Sequence, residues 1–293
     1  MVTVADSAAV GTARKAAVLG KPVTHSLSPV LHQAAYDALG LTGWTYERHE
    51  VDADGLAGFV SGLGPEWAGL SVTMPGKRAA LEFATEMTPR AAAVGAANTL
   101  VPIDGGWRAD CTDVAGVVGA LRAAVGFGAG SPGPGVVLGA GGTAAAAVAA
   151  FADLGLAEVR IVARDPARAE PTAAAARDLG LDVDVVRWSD VDWRSLAEKS
   201  AALVSTVPSE AVSDRIADLV HAPCLLDVIY HPWPTPLAAA RESSGRSLAT
   251  GLDMLLHQAF GQVEQFTGHA APREAMRDAL RAATGDILPL PLR

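Results

Sequence analysis

The sequence is short of several residue types, and each shortage excludes a class of protein. Its 293 residues include only two cysteines, Cys111 and Cys224, which form neither a CxxC pair nor a disulfide framework. A reducing, cytoplasmic location is therefore expected. The seven histidines show none of the spacings that bind zinc, so the sequence predicts no metal site.

Long apolar runs are also missing. No run reaches the roughly 20 residues that a membrane-spanning helix requires, so no membrane partner is predicted. The first 20 residues lack the basic-then-apolar order of a signal peptide. A monomer and a homodimer are both compatible with the sequence, and a small molecule is the expected partner.

Positive charge is scarce. Lys and Arg together number 23 against 32 Asp and Glu, which gives a net charge of −9 and a pI near 5.2. This balance excludes a nucleic acid-binding surface, because such a surface needs clustered basic residues. Only four of the basic residues are lysines, at positions 15, 21, 77 and 199, and the other 19 are arginines.

Apolar residues, by contrast, are abundant: half of the chain is hydrophobic and 19% is charged, which predicts packed cores. At roughly 100–200 residues per domain, the length suggests two domains. Short β-branched runs alternate with Ala/Leu-rich segments throughout, a pattern typical of an α/β protein with mostly parallel sheets.

The same alternation predicts the individual elements. In the first third, strands are expected over 16–20, 45–51, 69–73 and 98–102, with a helix over Pro29–Leu39. After a Gly/Pro/Ser loop at 126–135, the runs "GVVLGAGG", "EVRIVAR", "LDVDVVRW", "AALVSTVP" and "CLLDVIY" read as the strands of a doubly wound nucleotide domain. The helical stretch 251–266 has no strands of its own and is expected to pack on an earlier unit.

One motif points to a dinucleotide. In "VVLGAGGTAAAAVAAFADLG" (136–155), an apolar strand runs through a glycine turn into an alanine-rich helix. Gly139 and Gly141 would allow a tight turn close to a pyrophosphate, and small residues from Gly142 onward let the helix start against the strand. The alternative interpretation is an ordinary tight turn between a strand and a helix.

The end of the next strand bears on which dinucleotide is bound. An NAD-preferring domain usually has an acidic residue here that accepts from the ribose 2′-OH. This chain instead has Arg164 after Ala163, with Arg168 one turn later, and two guanidiniums suit a 2′-phosphate. The sequence therefore favours NADP, although Asp165 could meet a 2′-OH and both arginines could be solvated surface residues.

Three short motifs in the first half suggest a polar ligand. Ser26 and Ser28 precede a predicted helix, where two hydroxyls beside free N–H groups would favour a carboxylate, although Ser28 alone could be a helix cap. Lys77 follows a predicted strand at its carboxyl end, where open α/β sheets bind ligands, whereas structural lysines usually lie on solvated faces. Asn98 and Asp113 lie at strand–turn edges, where they could bind a polyol or act as turn formers.

Together these motifs resemble the shikimate dehydrogenase family over nearly the whole chain, from about Lys15 to Gly285. In order, they are "GKPVTHSLSPVLH", "GLSVTMPGK", "GAANTL", "DCTDVAG", "GAGGTA", "VARDPAR", "STVPS", "DVIYHPWPTPL" and "GLDMLLHQA". The resemblance implies an α/β substrate domain over 12–113, completed by C-terminal helices over 251–285, and a Rossmann-type NADP domain over 114–250, with a cleft between them. It also implies reversible, NADPH-dependent reduction of 3-dehydroshikimate to shikimate in aromatic amino-acid biosynthesis.

The resemblance also implies roles for individual residues. Lys77 and Asp113 correspond to the catalytic pair, and Ser26 and Ser28 to the pair that binds the substrate carboxylate. The implied partners of the substrate hydroxyls are Thr73, Asn98, Asp113 and Gln258, with Tyr230 near the carboxylate end. The implied cofactor contacts are Gly139, Ala140, Gly141, Gly142 and Thr143 in the pyrophosphate turn, Arg164 and Arg168 at the adenosine phosphate, and Gly251 at the nicotinamide.

Several positions depart from the family pattern. Ser71, Cys111 and Ser205 stand where relatives commonly have Asn, and Ala163 and Asp165 replace the usual Asn and Thr around the adenosine-side arginine. Two alternatives therefore stay open: an NAD-using quinate/shikimate dehydrogenase and a non-catalytic NADP-binding sensor. The methylenetetrahydrofolate dehydrogenases also have a cleft lysine, but the Ser26/Ser28 pair points away from them.

Overall fold

The computed structural model describes residues 13–128 and 130–293. Residues 1–12, which include most of the stretch that predicts no signal peptide, and residue 129 in the Gly/Pro/Ser loop lie outside this description. Within the described part, no helix is long and apolar enough to cross a membrane.

The first unit is a mixed sheet with helices. Its elements in chain order are β1 (Lys15–Gly20), α1 (Ser28–Ala38), β2 (Thr45–Glu50), α2 (Leu56–Ser61), β3 (Trp67–Val72), α3 (Lys77–Phe83), β4 (Glu86–Met87), α4 (Pro89–Val94), β5 (Thr99–Ile103), β6 (Gly106–Asp110) and α5 (Asp113–Val125). The strand order is β2-β1-β3-β5-β6-β4. β1 is parallel to β2 and β3, and β4 to β6, whereas β5 is antiparallel to both of its neighbours.

The second unit has the doubly wound order. Its elements are β7 (Gly135–Leu138), α6 (Gly142–Asp153), β8 (Glu158–Ala163), α7 (Glu170–Asp178), β9 (Asp182–Arg187), α8 (Trp193–Lys199), β10 (Ala202–Ser205), α9 (Ile216–Leu219), β11 (Leu225–Asp227), α10 (Pro236–Ser243) and β12 (Ala249–Thr250). The strand order is β12-β11-β10-β7-β8-β9, and all neighbouring strands are parallel. The chain builds the sheet outward from β7, first toward β9 and then, from β10, toward the other edge at β12. Both predicted sheets and the α/β class are therefore confirmed.

Two more helices follow, α11 (Gly251–Thr267) and α12 (Arg273–Ala283), and they return to the first unit. Leu252, Leu256 and Val263 of α11 pack with Leu31 of α1 and Met276 of α12 in one buried cluster. Thr250 caps α11 by accepting a hydrogen bond from Asp253 N at 3.3 Å, and the Asp253 carboxylate accepts from Thr250 N at 2.8 Å. The expected packing of the tail on an earlier unit is confirmed.

The two units share part of their core through α5. Val114 and Val117 of this helix lie in the same buried cluster as Val94 of α4 and the alanines of α6. Ala144 to Ala150 are all buried, because α6 is covered by helices on one side and by the parallel sheet on the other. The boundary at 113/114 coincides with the start of α5, a helix that contacts both units, and remains a prediction.

Candidate active site

The central feature of the site is an ion pair between Lys77 and Asp113. Lys77 is the first residue of α3, directly after the turn by which the chain leaves β3, and Asp113 is the first residue of α5. The Lys77 Nζ donates to Asp113 Oδ2 at 2.5 Å, and the two side chains are only 18% and 7% exposed. The two predicted catalytic residues, 36 positions apart in sequence, therefore lie in direct contact.

Asn98 fixes the other oxygen of that carboxylate. Its Nδ2 donates to Asp113 Oδ1 at 2.9 Å and to Gln258 Oε1 at 3.1 Å, and its own Oδ1 accepts from Thr112 N at 2.8 Å. Gln258 reaches the site from α11, and its Nε2 donates to Leu255 O at 3.0 Å. Asn98, Asp113 and Gln258, predicted as substrate ligands, thus form one hydrogen-bonded group around the ion pair.

The surroundings of Lys77 act on its pKa in opposite directions. Burial lowers the pKa of the Lys77 ammonium, but the negative charge of Asp113 and the hydrogen bond to it raise the pKa, with a smaller contribution from Cys111. The net result is a Lys77 pKa above its ordinary value. Lys77 is therefore a cation at neutral pH.

Cys111 lies behind this pair. The side chain is 1% exposed, and burial, together with the charge of Asp113, raises the pKa of its thiol to about 12. Both Cys111 and Cys224 are unpaired thiols. The thiol of Cys111 therefore stays protonated at neutral pH and adds no charge beside the ion pair.

The predicted carboxylate-binding serines lie at the start of α1. Ser28 is the first helical residue and is 5% exposed, and its N–H donates to Ser26 Oγ at 3.3 Å. The Ncap position of α1 is Leu27, so the interpretation of Ser28 as the helix cap is wrong. Arg48 donates to Ser26 O at 2.9 and 2.6 Å, which fixes the segment that carries both hydroxyls.

A buried chain of polar groups leads from Tyr46 to the ion pair. Tyr46 donates to Ser71 Oγ at 2.6 Å, and Ser71 donates to Gln262 Oε1 at 2.8 Å. Gln262 in turn donates to Asn98 O at 3.1 Å. The complete path is Tyr46, Ser71, Gln262, Asn98, Asp113 and Lys77.

Sequence reasoning did not identify Tyr46 or Gln262 as part of the site. Both are buried, and a buried polar residue must find a hydrogen-bond partner, so their patterning in β2 and α11 was the available signal. The two side chains lie on either side of Ser71 in the hydrogen-bonded chain, one donating to its hydroxyl and the other accepting from it.

His32 packs beside this hydrogen-bonded chain. It is fully buried, its ring lies 4.1 Å from that of Tyr46, and its Nε2 is 3.4 Å from Gln262 Oε1. Burial lowers the pKa of His32 to about 3, with the hydrogen bond to Gln262 acting in the opposite direction. His32 is therefore neutral in the folded protein at neutral pH.

Two further predicted ligands border the site without bonding to it. Among residues 13–128 and 130–293, neither Thr73 nor Tyr230 makes a side-chain hydrogen bond. The ring of His25, next to Ser26, stacks on that of His231, next to Tyr230, with centroids 4.9 Å apart. This stacked pair joins the loop with the two serines to the loop that follows β11.

The glycine turn faces Lys77 from the second unit. Gly139 has a φ of 109°, which L-residues with a Cβ rarely adopt, and α6 starts at Gly142. Thr172 Oγ1 donates to Ala140 O at 3.2 Å and so fixes the turn. A Cβ at Gly142 would lie 3.8 Å from Lys77 Cδ, so the turn and the ion pair meet across the cleft.

This turn fits a dinucleotide. At Gly141 a Cβ would meet no atom within 4 Å, so its lack of a side chain is not required by packing. The following helix α6 presents its free N–H groups at the same place, where they suit a pyrophosphate. The other predicted residues of this turn are half-buried: Ala140, Gly142 and Thr143.

The arginines predicted to bind an adenosine phosphate lie at the end of β8. Arg164 and Arg168 are both exposed, and the second belongs to the 3₁₀ turn Pro166–Ala169. Asp165 caps that turn by accepting from Ala167 N at 3.1 Å, so the carboxylate already has a structural partner. Gly251 is buried under the loop after β11, and a Cβ there would collide with Val228 O.

The sequence of this chain matches one family of known proteins. A family model described as "Shikimate dehydrogenase substrate binding domain" matches residues 18–100, and one described as "Shikimate 5'-dehydrogenase C-terminal domain" matches residues 251–281. A relative named shikimate dehydrogenase (NADP(+)), from Synechococcus sp. (strain JA-3-3Ab), is 34% identical over 292 residues. That match covers 94% of this chain and 96% of the relative.

Solved structures agree with the sequence matches. A shikimate dehydrogenase of Mycobacterium tuberculosis is 51% identical and superposes with a TM-score of 0.86, over 92% of this chain and 99% of the other. A shikimate 5-dehydrogenase of Thermus thermophilus, in complex with NADP(H) and shikimate, is 30% identical with a TM-score of 0.75. It covers 92% of this chain and 99% of its own.

Proposed function

The chain belongs to the shikimate dehydrogenase family, and from this membership we propose that it catalyses the reversible, NADPH-dependent reduction of 3-dehydroshikimate to shikimate. The observation that carries the proposal is the Lys77–Asp113 ion pair, buried across from the glycine turn. A nicotinamide cofactor held at that turn would provide the hydride as NADPH in reduction and would take it up as NADP⁺ in oxidation. The substrate domain over 12–113 and 251–285 and the NADP domain over 114–250 are part of the proposal.

Lys77 donates a proton to the substrate oxygen in reduction and removes it in oxidation. Reduction of a ketone leaves an alkoxide, and a positioned acid typically contributes 10²–10⁴-fold to such a step. An ammonium also stabilises the developing negative charge, whereas a guanidinium would not release its proton near neutral pH. The raised pKa of Lys77 favours the donating form in reduction. In the reverse direction neutral Lys77 must remove the hydroxyl proton, so oxidation is expected to accelerate as the pH rises.

The remaining residues bind and orient the substrate. Ser26 and Ser28 bind the carboxylate, with Tyr230 at the same end, and Thr73, Asn98, Asp113 and Gln258 bind the hydroxyls. Asn98 also keeps the Asp113 carboxylate directed at Lys77, because it bonds the other carboxylate oxygen. On the cofactor side, residues 139–143 hold the pyrophosphate, Arg164 and Arg168 the adenosine phosphate, and Gly251 the nicotinamide. A cytoplasmic location and a monomeric or homodimeric state complete the proposal.

Steady-state oxidation of shikimate and of quinate, each with NADP and with NAD, tests this function. We expect turnover with shikimate and a strong preference for NADP, because Asp165 is engaged in capping and Arg164 and Arg168 are exposed at the end of β8. A preference for NAD or for quinate would favour the NAD-using quinate/shikimate dehydrogenase. Binding of NADPH without turnover of any of these substrates would favour the non-catalytic sensor.

A further inference from the structure

A third arginine lies beside the two predicted to bind the adenosine phosphate. Arg187 is the last residue of β9, and its register partner on the parallel strand β8 is Ala163. Arg164 follows directly after Ala163 in the chain. The carboxyl ends of neighbouring parallel strands meet at one edge of the sheet, so Arg187 and Arg164 leave the sheet side by side.

The face of the sheet on which Arg187 lies follows from strand alternation. Val183 and Val185 pack against the same buried cluster as Ala163, and Arg187 is the next residue of that series. On the opposite face, Asp184 accepts from Arg160 at 2.9 Å. Ala169 belongs to the cluster beneath Ala163, so the turn Pro166–Ala169, which carries Arg168, covers the same face as Arg187.

The three arginines carry charge that no nearby acid neutralises. Among the described residues, none of Arg164, Arg168 and Arg187 forms an ion pair, and all three are exposed. The neighbouring acids have other partners: Asp165 caps Ala167 N, Glu170 pairs with Arg177 at 2.8 Å, and Asp190 accepts from Ser189 Oγ at 2.7 Å. Three cations that converge in this way favour a multiply charged anion.

We propose that Arg187 binds the 2′-phosphate of NADP together with Arg164 and Arg168, and that it thereby contributes to the choice of NADP over NAD. The inference rests on the proposed function, since that function supplies the dinucleotide at this edge of the sheet. Its chemistry is the charge-assisted hydrogen bond of a guanidinium to a phosphate, which a 2′-hydroxyl cannot match.

Binding of two adenosine fragments by isothermal titration calorimetry tests this role without catalysis. The fragment 2′,5′-ADP carries the 2′-phosphate and 5′-AMP does not. In Arg187→Gln we expect the Kd for 2′,5′-ADP to rise by about tenfold or more, in line with the loss of one hydrogen bond to a charged group. The Kd for 5′-AMP should stay unchanged, and Arg187→Lys should recover part of the affinity.

Arg160→Gln is the matched control, because it removes an arginine from the same strand pair on the opposite face. It should leave both dissociation constants unchanged. In steady-state assays Arg187→Gln should lower kcat/KM for NADP by a similar factor and leave kcat/KM for NAD unchanged.

Two results would overturn the role of Arg187. One is an unchanged Kd for 2′,5′-ADP in Arg187→Gln, and the other is an equal loss for both fragments, which would indicate general electrostatic attraction. If Arg164→Gln abolished discrimination while Arg187→Gln did not, the proposed function would stand and this inference would fail. If the wild-type protein did not discriminate between the fragments, the NADP assignment itself would fail.

Discussion

The two units present different chemical groups to the cleft between them. On the side of the first unit, the site consists of buried polar side chains bonded to one another, such as Asn98, Asp113 and Gln262. On the side of the second unit, the turn offers glycines and free backbone N–H groups, followed by the buried alanines of α6. The proposed chemistry and substrate recognition therefore depend on side chains, and the proposed cofactor binding depends largely on the backbone.

The largest test of this contrast is the loss of the Lys77 amine. In Lys77→Met we expect kcat for shikimate oxidation to fall by about 10²–10⁴-fold, the usual contribution of a positioned acid or base. The KM for shikimate should change less, because the carboxylate and hydroxyl ligands remain. Lys199→Met, which changes an exposed lysine of the other unit, is the control and should keep full activity. Near-normal turnover in Lys77→Met would rule out the proton-transfer role.

Two glycines of the turn distinguish folding from binding. In Gly139→Ala a Cβ would lie 2.5 Å from Thr206 Oγ1 at a φ of 109°, so we expect the free energy of unfolding to fall by about 1–3 kcal/mol. In Gly141→Ala the Cβ meets no protein atom within 4 Å, so stability should stay unchanged while the KM for NADP rises. Thermal unfolding and steady-state kinetics of both variants measure this. An unchanged KM for NADP in Gly141→Ala would contradict a binding role for position 141.

The burial of His32 makes the stability of the folded protein depend on pH. A histidine whose pKa is about 3 when folded and 6.5 when unfolded is more easily protonated in the unfolded chain. The free energy of unfolding is therefore not reduced by His32 above pH 6.5, and His32 reduces it progressively as the pH falls from about 6.5 toward 3. Between pH 7 and pH 5 we expect this group to cost about 2 kcal/mol of unfolding free energy. His32→Gln should remove about that share of the loss in urea unfolding.

The comparison for His32 is His269→Gln, which changes an exposed histidine after α11. This variant should show the same decline in stability with acid as the wild-type protein. An unaltered decline in His32→Gln would mean that His32 is not buried in its neutral form.

The smallest expected effect concerns the Tyr46 hydroxyl. Tyr46→Phe removes the donor to Ser71, so we expect the KM for shikimate to rise about fivefold, equivalent to about 1 kcal/mol. The value of kcat should change little, since Asn98 still orients Asp113. Tyr36→Phe is the matched control, because the buried Tyr36 hydroxyl has no partner among the described residues. Equal KM values for shikimate in the two variants would show that the Tyr46 hydroxyl does not support substrate binding.

The strongly patterned parts of the fold could be predicted from the sequence. The strands β1, β3 and β7 follow from short continuous apolar runs, because they are buried on both faces, and the long helix α11 follows from its helical periodicity. The missed strands are short or polar, such as β4 and β6. β6 pairs with β5 through the two-residue turn Asp104–Gly105, so its sequence signal was the Asp-Gly dipeptide rather than hydrophobicity.

The site divides in a similar way. The contact between Lys77 and Asp113 follows from the resemblance and from their positions at strand ends, and the structure brings the two side chains together. The hydrogen-bonded chain through Tyr46 and Gln262 could not be predicted, because it depends on how α11 docks against β3 and β5. Such docking is set by long-range packing, which local patterns do not specify. The roles of all these residues in binding and catalysis remain predictions.

The return of α11 and α12 to the first unit also has a consequence during synthesis on the ribosome. Leu31 and Ala35 of α1 are covered by residues of α11 and α12 that are translated only after the whole cofactor-binding unit. At roughly 5–20 residues per second, that apolar face stays uncovered for on the order of ten to forty seconds. The cofactor-binding unit, whose strands are contiguous in the chain, can close first, and the nascent first unit is the part that chaperones would need to shield.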